Sequence, residues 1–118
     1  MLVDTGSSWT WVAVDECTEN CKDTRVFHAN SSESFVHKKQ SYDIKYGQGT
    51  IKGELVNDQV GLLESDATTP SFPFLAVQTR VDHSTELMTG ILGLAPGDED
   101  SNPLFIDYLF DAGKIKKK

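Results

Sequence analysis

Apolar residues flank a short polar turn near the start of the chain: Leu2 and Val3 precede Asp4-Thr5-Gly6-Ser7-Ser8, and Trp9, Trp11 and Val12 follow in an alternating pattern up to Val14. Alternation with period two marks a half-buried strand, so this stretch predicts strand, tight loop, strand. After a polar segment, Tyr42, Ile44 and Tyr46 alternate with Asp43 and Lys45. Gly47-Gln48-Gly49 then intervenes before Thr50, Ile51 and the Leu55-Val56 pair. That pattern predicts a hairpin with a glycine-rich tip. The stretches from Val60 to Leu63 and from Phe72 to Val81 predict further short strands punctuated by Pro70 and Pro73, and Gly90-Ile91-Leu92-Gly93-Leu94 is an apolar run bracketed by glycines. The body of the chain is expected to be all-β.

One helix is predicted, from Pro103 to about Ala112. Asn102 is placed to cap it, Pro103 suits its first turn and Gly113 suits its end. Leu104, Phe105, Tyr108 and Leu109 recur at helical spacing and should form its buried face. Asp98-Glu99-Asp100 reads as a solvated loop before it.

Composition narrows the function classes. A chain of 118 residues suits one domain, 1–118, large enough to bury a single core. A net charge of −7 leaves no basic stripe to displace counterions from phosphates, which argues against nucleic acid. The one basic cluster, Lys114 to Lys118, reads as a solvated end. No apolar run approaches the length of a bilayer-spanning helix, so no membrane partner is expected, and the first residues lack the pattern of a signal peptide.

Asp4 is the residue best placed for chemistry. A carboxylate acts as a general base only where it is held within reach of a water. Asp4 ends an apolar strand and opens a turn in which Gly6 permits a tight backbone. There Thr5, Ser7 and backbone N–H groups can donate hydrogen bonds to it. The bland reading is a strand-end turn with aspartate as a local acceptor. Cys17 and Cys21 enclose three residues and could close a small disulfide loop. His28, His37 and His83 lie scattered without metal-like spacing, so zinc is not expected and each histidine reads as a surface residue. Asn30-Ser31-Ser32 is an N-glycosylation sequon, which would be consistent with secretion.

The stretch Val3-Asp4-Thr5-Gly6-Ser7-Ser8-Trp9-Thr10-Trp11-Val12 resembles the active-site motif of the N-terminal lobe of pepsin-like aspartic proteases. In that family a tryptophan follows the catalytic aspartate at the place held here by Trp11. Tyr46-Gly47-Gln48-Gly49-Thr50 is similar to the tip of the family's flap, the hairpin that closes over the substrate, at the usual separation from the aspartate. Gly90-Ile91-Leu92-Gly93-Leu94-Ala95 resembles the segment that passes under the catalytic loop, with Thr89 where that motif usually has aspartate. Cys17 and Cys21 fall where the family commonly has a small disulfide loop, and Phe35 after Ser31-Ser32-Glu33-Ser34 resembles its Ser-Ser-Thr-Phe stretch.

The resemblance implies a partial double-psi-type barrel with a flap hairpin and one short helix near its C-terminal end. It also implies a role for each motif: Asp4 catalytic; Thr5, Gly6, Ser7 and Trp11 in support; Tyr46 to Thr50 as flap, with Tyr46 hydrogen-bonding toward Trp11; and Ile91, Leu92 and Gly93 beneath the loop. It implies cleavage of extended peptides at acid pH, no cofactor, and a secreted, lysosomal or vacuolar setting. Two carboxylates share this chemistry in the family, and only Asp4 is present: no second Asp-Thr-Gly or Asp-Ser-Gly occurs, and Asp111-Ala112-Gly113 sits at a helix end. The first strands of the lobe and the whole C-terminal lobe are missing from the text. The expectation is therefore a partial N-terminal lobe, inactive and poorly folded alone. The alternatives are a non-catalytic single-lobe binding protein and a retropepsin-like homodimer that pairs Asp4 with its symmetry mate.

Overall fold

Two apolar faces organise one twisted sheet. The computed structural model describes residues 2–17, 21, 26–46, 49–63, 65–82, 90–97 and 102–117, with the backbone alone at Tyr46, Val81 and Asp82. Its strands are β1 (Leu2–Asp4), β2 (Trp11–Ala13), β3 (Val36–Tyr46), β4 (Gly49–Gly61), β5 (Thr68–Asp82) and β6 (Gly90–Gly93), followed by helix α1 (Phe105–Asp111). They form one six-stranded sheet in the order β1-β6-β2-β5-β4-β3, which does not close into a barrel. Alternation along β5 sends Phe72, Phe74 and Ala76 to one face, where they meet Val14, Val56, Leu92, Phe105 and Leu109. Leu75 and Val77 point the other way and join Trp11, Ile51 and Ile91. The middle of β5 is thus buried on both faces, as expected for a strand inside a sheet.

The predicted hairpin is β3 with β4, antiparallel from Tyr46 opposite Gly49 back to Val36 opposite Asn57. It is longer than the alternating text suggested. A bulge between His37 and Gln40 places Lys39 at φ 58, left-handed backbone that a lysine adopts only where surrounding pairing compels it.

Two sequence expectations need correcting. The strand predicted from Val60 to Leu63 is only the end of β4, which stops at Gly61, and the one predicted from Phe72 to Val81 begins earlier, because β5 runs from Thr68 through both prolines. This is possible because β2 covers β5 only from Leu75 to Val77, so a proline earlier in β5 can turn its missing donor to an unpaired edge. Second, α1 starts at Phe105, and its N-cap position is Leu104, which makes no side-chain cap bond. Asn102 is drawn into the interior instead, 7% exposed, where its Oδ1 accepts a hydrogen bond from the Ser8 hydroxyl at 3.2 Å. The helix ends as expected: Gly113 takes φ 72, and Gly113 N and Lys114 N bond back to the carbonyls of Phe110 and Leu109. No described helix is long and apolar enough to cross a membrane.

Candidate active site

Asp4 lies at the end of β1, where the backbone turns. Its half-exposed carboxylate is held on both oxygens: the Gly6 N–H donates to Oδ1 at 2.9 Å and the Ser7 hydroxyl to Oδ2 at 2.8 Å. Both donors belong to its own turn, so the sequence Asp-Thr-Gly-Ser orients the side chain locally. Thr5 is exposed on the same turn.

The turn is fixed from below by β6. This strand inserts between β1 and β2, parallel to β1 with Asp4 opposite Gly93 and antiparallel to β2 with Trp11 opposite Ile91. The loop joining β1 to β2 must therefore arch over β6, and three bonds tie it there. Leu94 N–H donates to the Asp4 carbonyl at 2.8 Å, Ala95 N–H to the Ser7 carbonyl at 2.9 Å, and Gly93 N–H to Thr10 Oγ1 at 3.2 Å. The two backbones cross so closely that a Cβ on Gly93 would lie 2.5 Å from the Trp9 carbonyl oxygen and 2.6 Å from the Ser8 carbonyl carbon. Glycine is required there by contact, not by dihedral angle.

The hairpin leans on the exit of this loop. Ile44 and Leu55 pack with Trp9 against the cluster containing Trp11, and the Trp9 and Tyr42 rings meet at 5.2 Å between centroids. Trp11 is 1% exposed, and its indole Nε1 has no hydrogen-bond partner among the described residues. A groove of about 650 Å³ opens between the hairpin and α1, lined by Trp9, Tyr42, Leu55, Pro73, Asn102 and Asp107 among others. Asp4 does not line it. Of the predicted flap residues, Gly49 and Thr50 start β4; Gly47, Gln48 and the Tyr46 side chain lie outside the described residues, as do His83 and Asp98 to Asp100.

The structure brings Asp4, Gly6, Ser7 and Gly93 together at the loop, buries Ile91 and Leu92 beneath it, and bridges Cys17 to Cys21 with 5.8 Å between their Cα atoms. Sequence reasoning missed Thr10, Ser8 and Asn102 as parts of the support. Thr10 looked like an ordinary alternating position, and Asn102 carried a cap signal that concealed its long-range partner.

Away from the loop, Asp58 on β4 is buried yet anionic in character. Burial would raise its pKa, but donors from the Ser32 hydroxyl at 2.6 Å, the Ser34 hydroxyl and the Gln59 N–H at 2.7 Å outweigh burial and hold it below the ordinary value. This cluster fastens the 3-10 turn Ala29–Ser31 and the start of β3 to β4. His28 and His37 are exposed beside Asp15 and Glu54, consistent with surface histidines.

An all-β lobe in which a doubly held carboxylate ends one strand while another strand passes beneath its loop resembles the N-terminal lobe of pepsin-like aspartic peptidases. The chain matches the eukaryotic aspartyl protease family over residues 1–118 and belongs to it. It is 33% identical over 96 residues to the major aspartyl peptidase 1 of Cryptococcus neoformans, covering 80% of this chain and 19% of that protein. With a probable aspartic-type endopeptidase CTSD of Arthroderma otae it shares 31% identity over 117 residues, 98% of this chain and 30% of that protein. With aspartic protease 6 of Caenorhabditis elegans it shares 34% over 99 residues, 80% of this chain and 25% of that protein. The chain thus spans less than a third of the length of each of these relatives.

Proposed function

We propose that this chain supplies the N-terminal half of an aspartic endopeptidase site, with Asp4 as one of two carboxylates and the other carried by a C-terminal lobe. The observation that supports this most is the clamp on Asp4: both oxygens accept bonds, yet the group stays half-exposed at the sheet's end. A carboxylate serving only as a turn former needs no strand threaded beneath it and no third tie through Thr10.

The chemistry follows from two carboxyl groups too close to ionise together, a principle for which aspartic proteases are the standing example. The ionised member takes a proton from water as its oxygen bonds to the scissile carbonyl carbon, while the protonated member donates to the carbonyl oxygen. The tetrahedral diol then collapses: the C–N bond breaks, the amine leaves with a proton from one carboxyl group, and the other recovers its own. Gly6 and Ser7 orient Asp4 through the bonds already described. Thr5 extends the turn. Ile91, Leu92 and Gly93 support it from beneath.

Tyr46 to Thr50 act as the flap over an extended peptide. By itself the chain supplies one of the two catalytic carboxylates and is expected to be inactive. The peptide substrate and the C-terminal lobe are its partners. The family and the Cys17–Cys21 disulfide support a secreted or lysosomal setting, since disulfides persist in oxidising compartments.

The test compares this chain alone with the same chain joined to a pepsin-like C-terminal lobe, on a fluorogenic peptide from pH 3 to 6. Cleavage only by the two-lobed protein is expected. Cleavage by the chain alone, second order in its concentration, would instead favour the symmetric homodimer. Tight peptide binding without turnover in either form would favour a non-catalytic binding lobe.

A further inference from the structure

We infer that Asn30 carries an N-linked glycan. Asn30 is exposed on the 3-10 turn Ala29–Ser31, and the sequon Asn30-Ser31-Ser32 has no proline to block it. A sequon alone is common. What distinguishes this one is how the fold treats its two functional residues. Ser32, whose hydroxyl the glycosyl transferase must read on the unfolded chain, turns inward after folding and donates to Asp58 at 2.6 Å. Ser34 donates to the other oxygen of the same carboxylate. With Ser32 N–H bonded to the Ala29 carbonyl at 3.1 Å, the turn is closed and Asn30 is left on the outside. The Asn30 side chain is exposed while the part-buried Ser32 hydroxyl is engaged by Asp58, so a bulky substituent on Asn30 has room in solvent.

The position also leaves the candidate active site clear. Asp58 sits at the far end of β4 from Gly49, where the strand leaves the hairpin tip. At about 3.3 Å per residue, the clamp lies roughly 30 Å along the strand from Gly49. A glycan there lies toward the base of the hairpin.

The transfer balances without an oxidant. The Asn30 amide nitrogen forms a bond to the anomeric carbon of a polyprenyl-diphosphate-linked oligosaccharide. That carbon's bond to the diphosphate oxygen breaks, the polyprenyl diphosphate leaves, and one amide proton passes to a base of the transferase. The inference rests on the secretory setting proposed above, because the donor and transferase occur there.

The test is peptide mapping of the protein purified from eukaryotic cells that make it. Trypsin should release Val26 to Lys38, in which Asn30 is the single asparagine. Treatment with a peptide N-glycosidase in heavy-oxygen water should convert Asn30 to labelled aspartate in most of this peptide. Asn30→Gln and Ser32→Ala should each remove the glycan, whereas Ser32→Thr should keep it. Unmodified Asn30 in material whose Cys17–Cys21 bond is oxidised would overturn the inference and leave the secretory setting standing. Unmodified Asn30 together with free thiols at Cys17 and Cys21 would overturn both. Neither outcome bears on proteolysis, which is read by a separate assay.

Discussion

Ser7 carries the most testable part of the residue-scale account, because its hydroxyl is one of two donors to Asp4. A hydrogen bond to a charged group contributes about 1.5–3 kcal/mol, so Ser7→Ala in the two-lobed protein should lower kcat/KM roughly 10- to 100-fold. Ser7→Thr, which keeps a hydroxyl, should recover much of the loss. Asp58 makes a second prediction, and its sign follows from the direction of its shift. A carboxyl group whose folded pKa lies below its unfolded value stabilises the fold fully above that unfolded value, and the contribution is lost as pH falls through the folded pKa. Wild-type protein should therefore lose part of its urea stability as pH drops below the ordinary aspartate value of 3.8, beyond what Asp58→Asn loses over the same range. Equal pH dependence in the two proteins would refute the clamp's role. Asn102 shows what the sequence concealed at this scale. Its position before a proline reads as a helix cap, and only the folded chain reveals that Ser8 reaches it from the far end of the sequence.

At the scale of elements, the crossing of β6 beneath the Asp4 loop is the feature most exposed to mutation. Gly93→Ala would drive a Cβ into the backbone of Ser8 and Trp9, where nothing can rotate away. It should destabilise the lobe by about 3 kcal/mol or more and disorder the loop above it. Gly113→Ala is the informative contrast: at φ 72 it meets no neighbour within 4 Å, so only the left-handed backbone is disfavoured and the cost should be near 1 kcal/mol. Chemical denaturation of both variants checks the pair. Strands β1 and β2 and the hairpin were legible because alternation and glycine punctuation reflect local geometry, whereas β6 showed only as an apolar run between glycines. The continuity of β5 through Pro70 and Pro73 was not legible, since a proline breaks a strand only if its nitrogen faces a partner, and which edge is covered depends on β2 arriving from elsewhere. The openness of the sheet was likewise a property of strand order, which no single segment encodes.

For the molecule as a whole, the candidate site was readable in outline because its orienting donors sit within the Asp4 turn, whereas the ties that brace it come from Gly93, Leu94 and Ala95, remote in sequence. The central claim is that Asp4 activates the attacking water. The measurement that tests it most directly is the steady-state kinetics of Asp4→Asn in the two-lobed protein. A peptide carrying a tetrahedral hydroxyl in place of the scissile carbonyl confirms in parallel that the cleft still binds. Asparagine preserves shape and removes the base, so kcat should fall by about 10³-fold or more while the peptide analogue still binds. An Asp4→Asn protein that cleaves within tenfold of the wild-type rate would contradict the account.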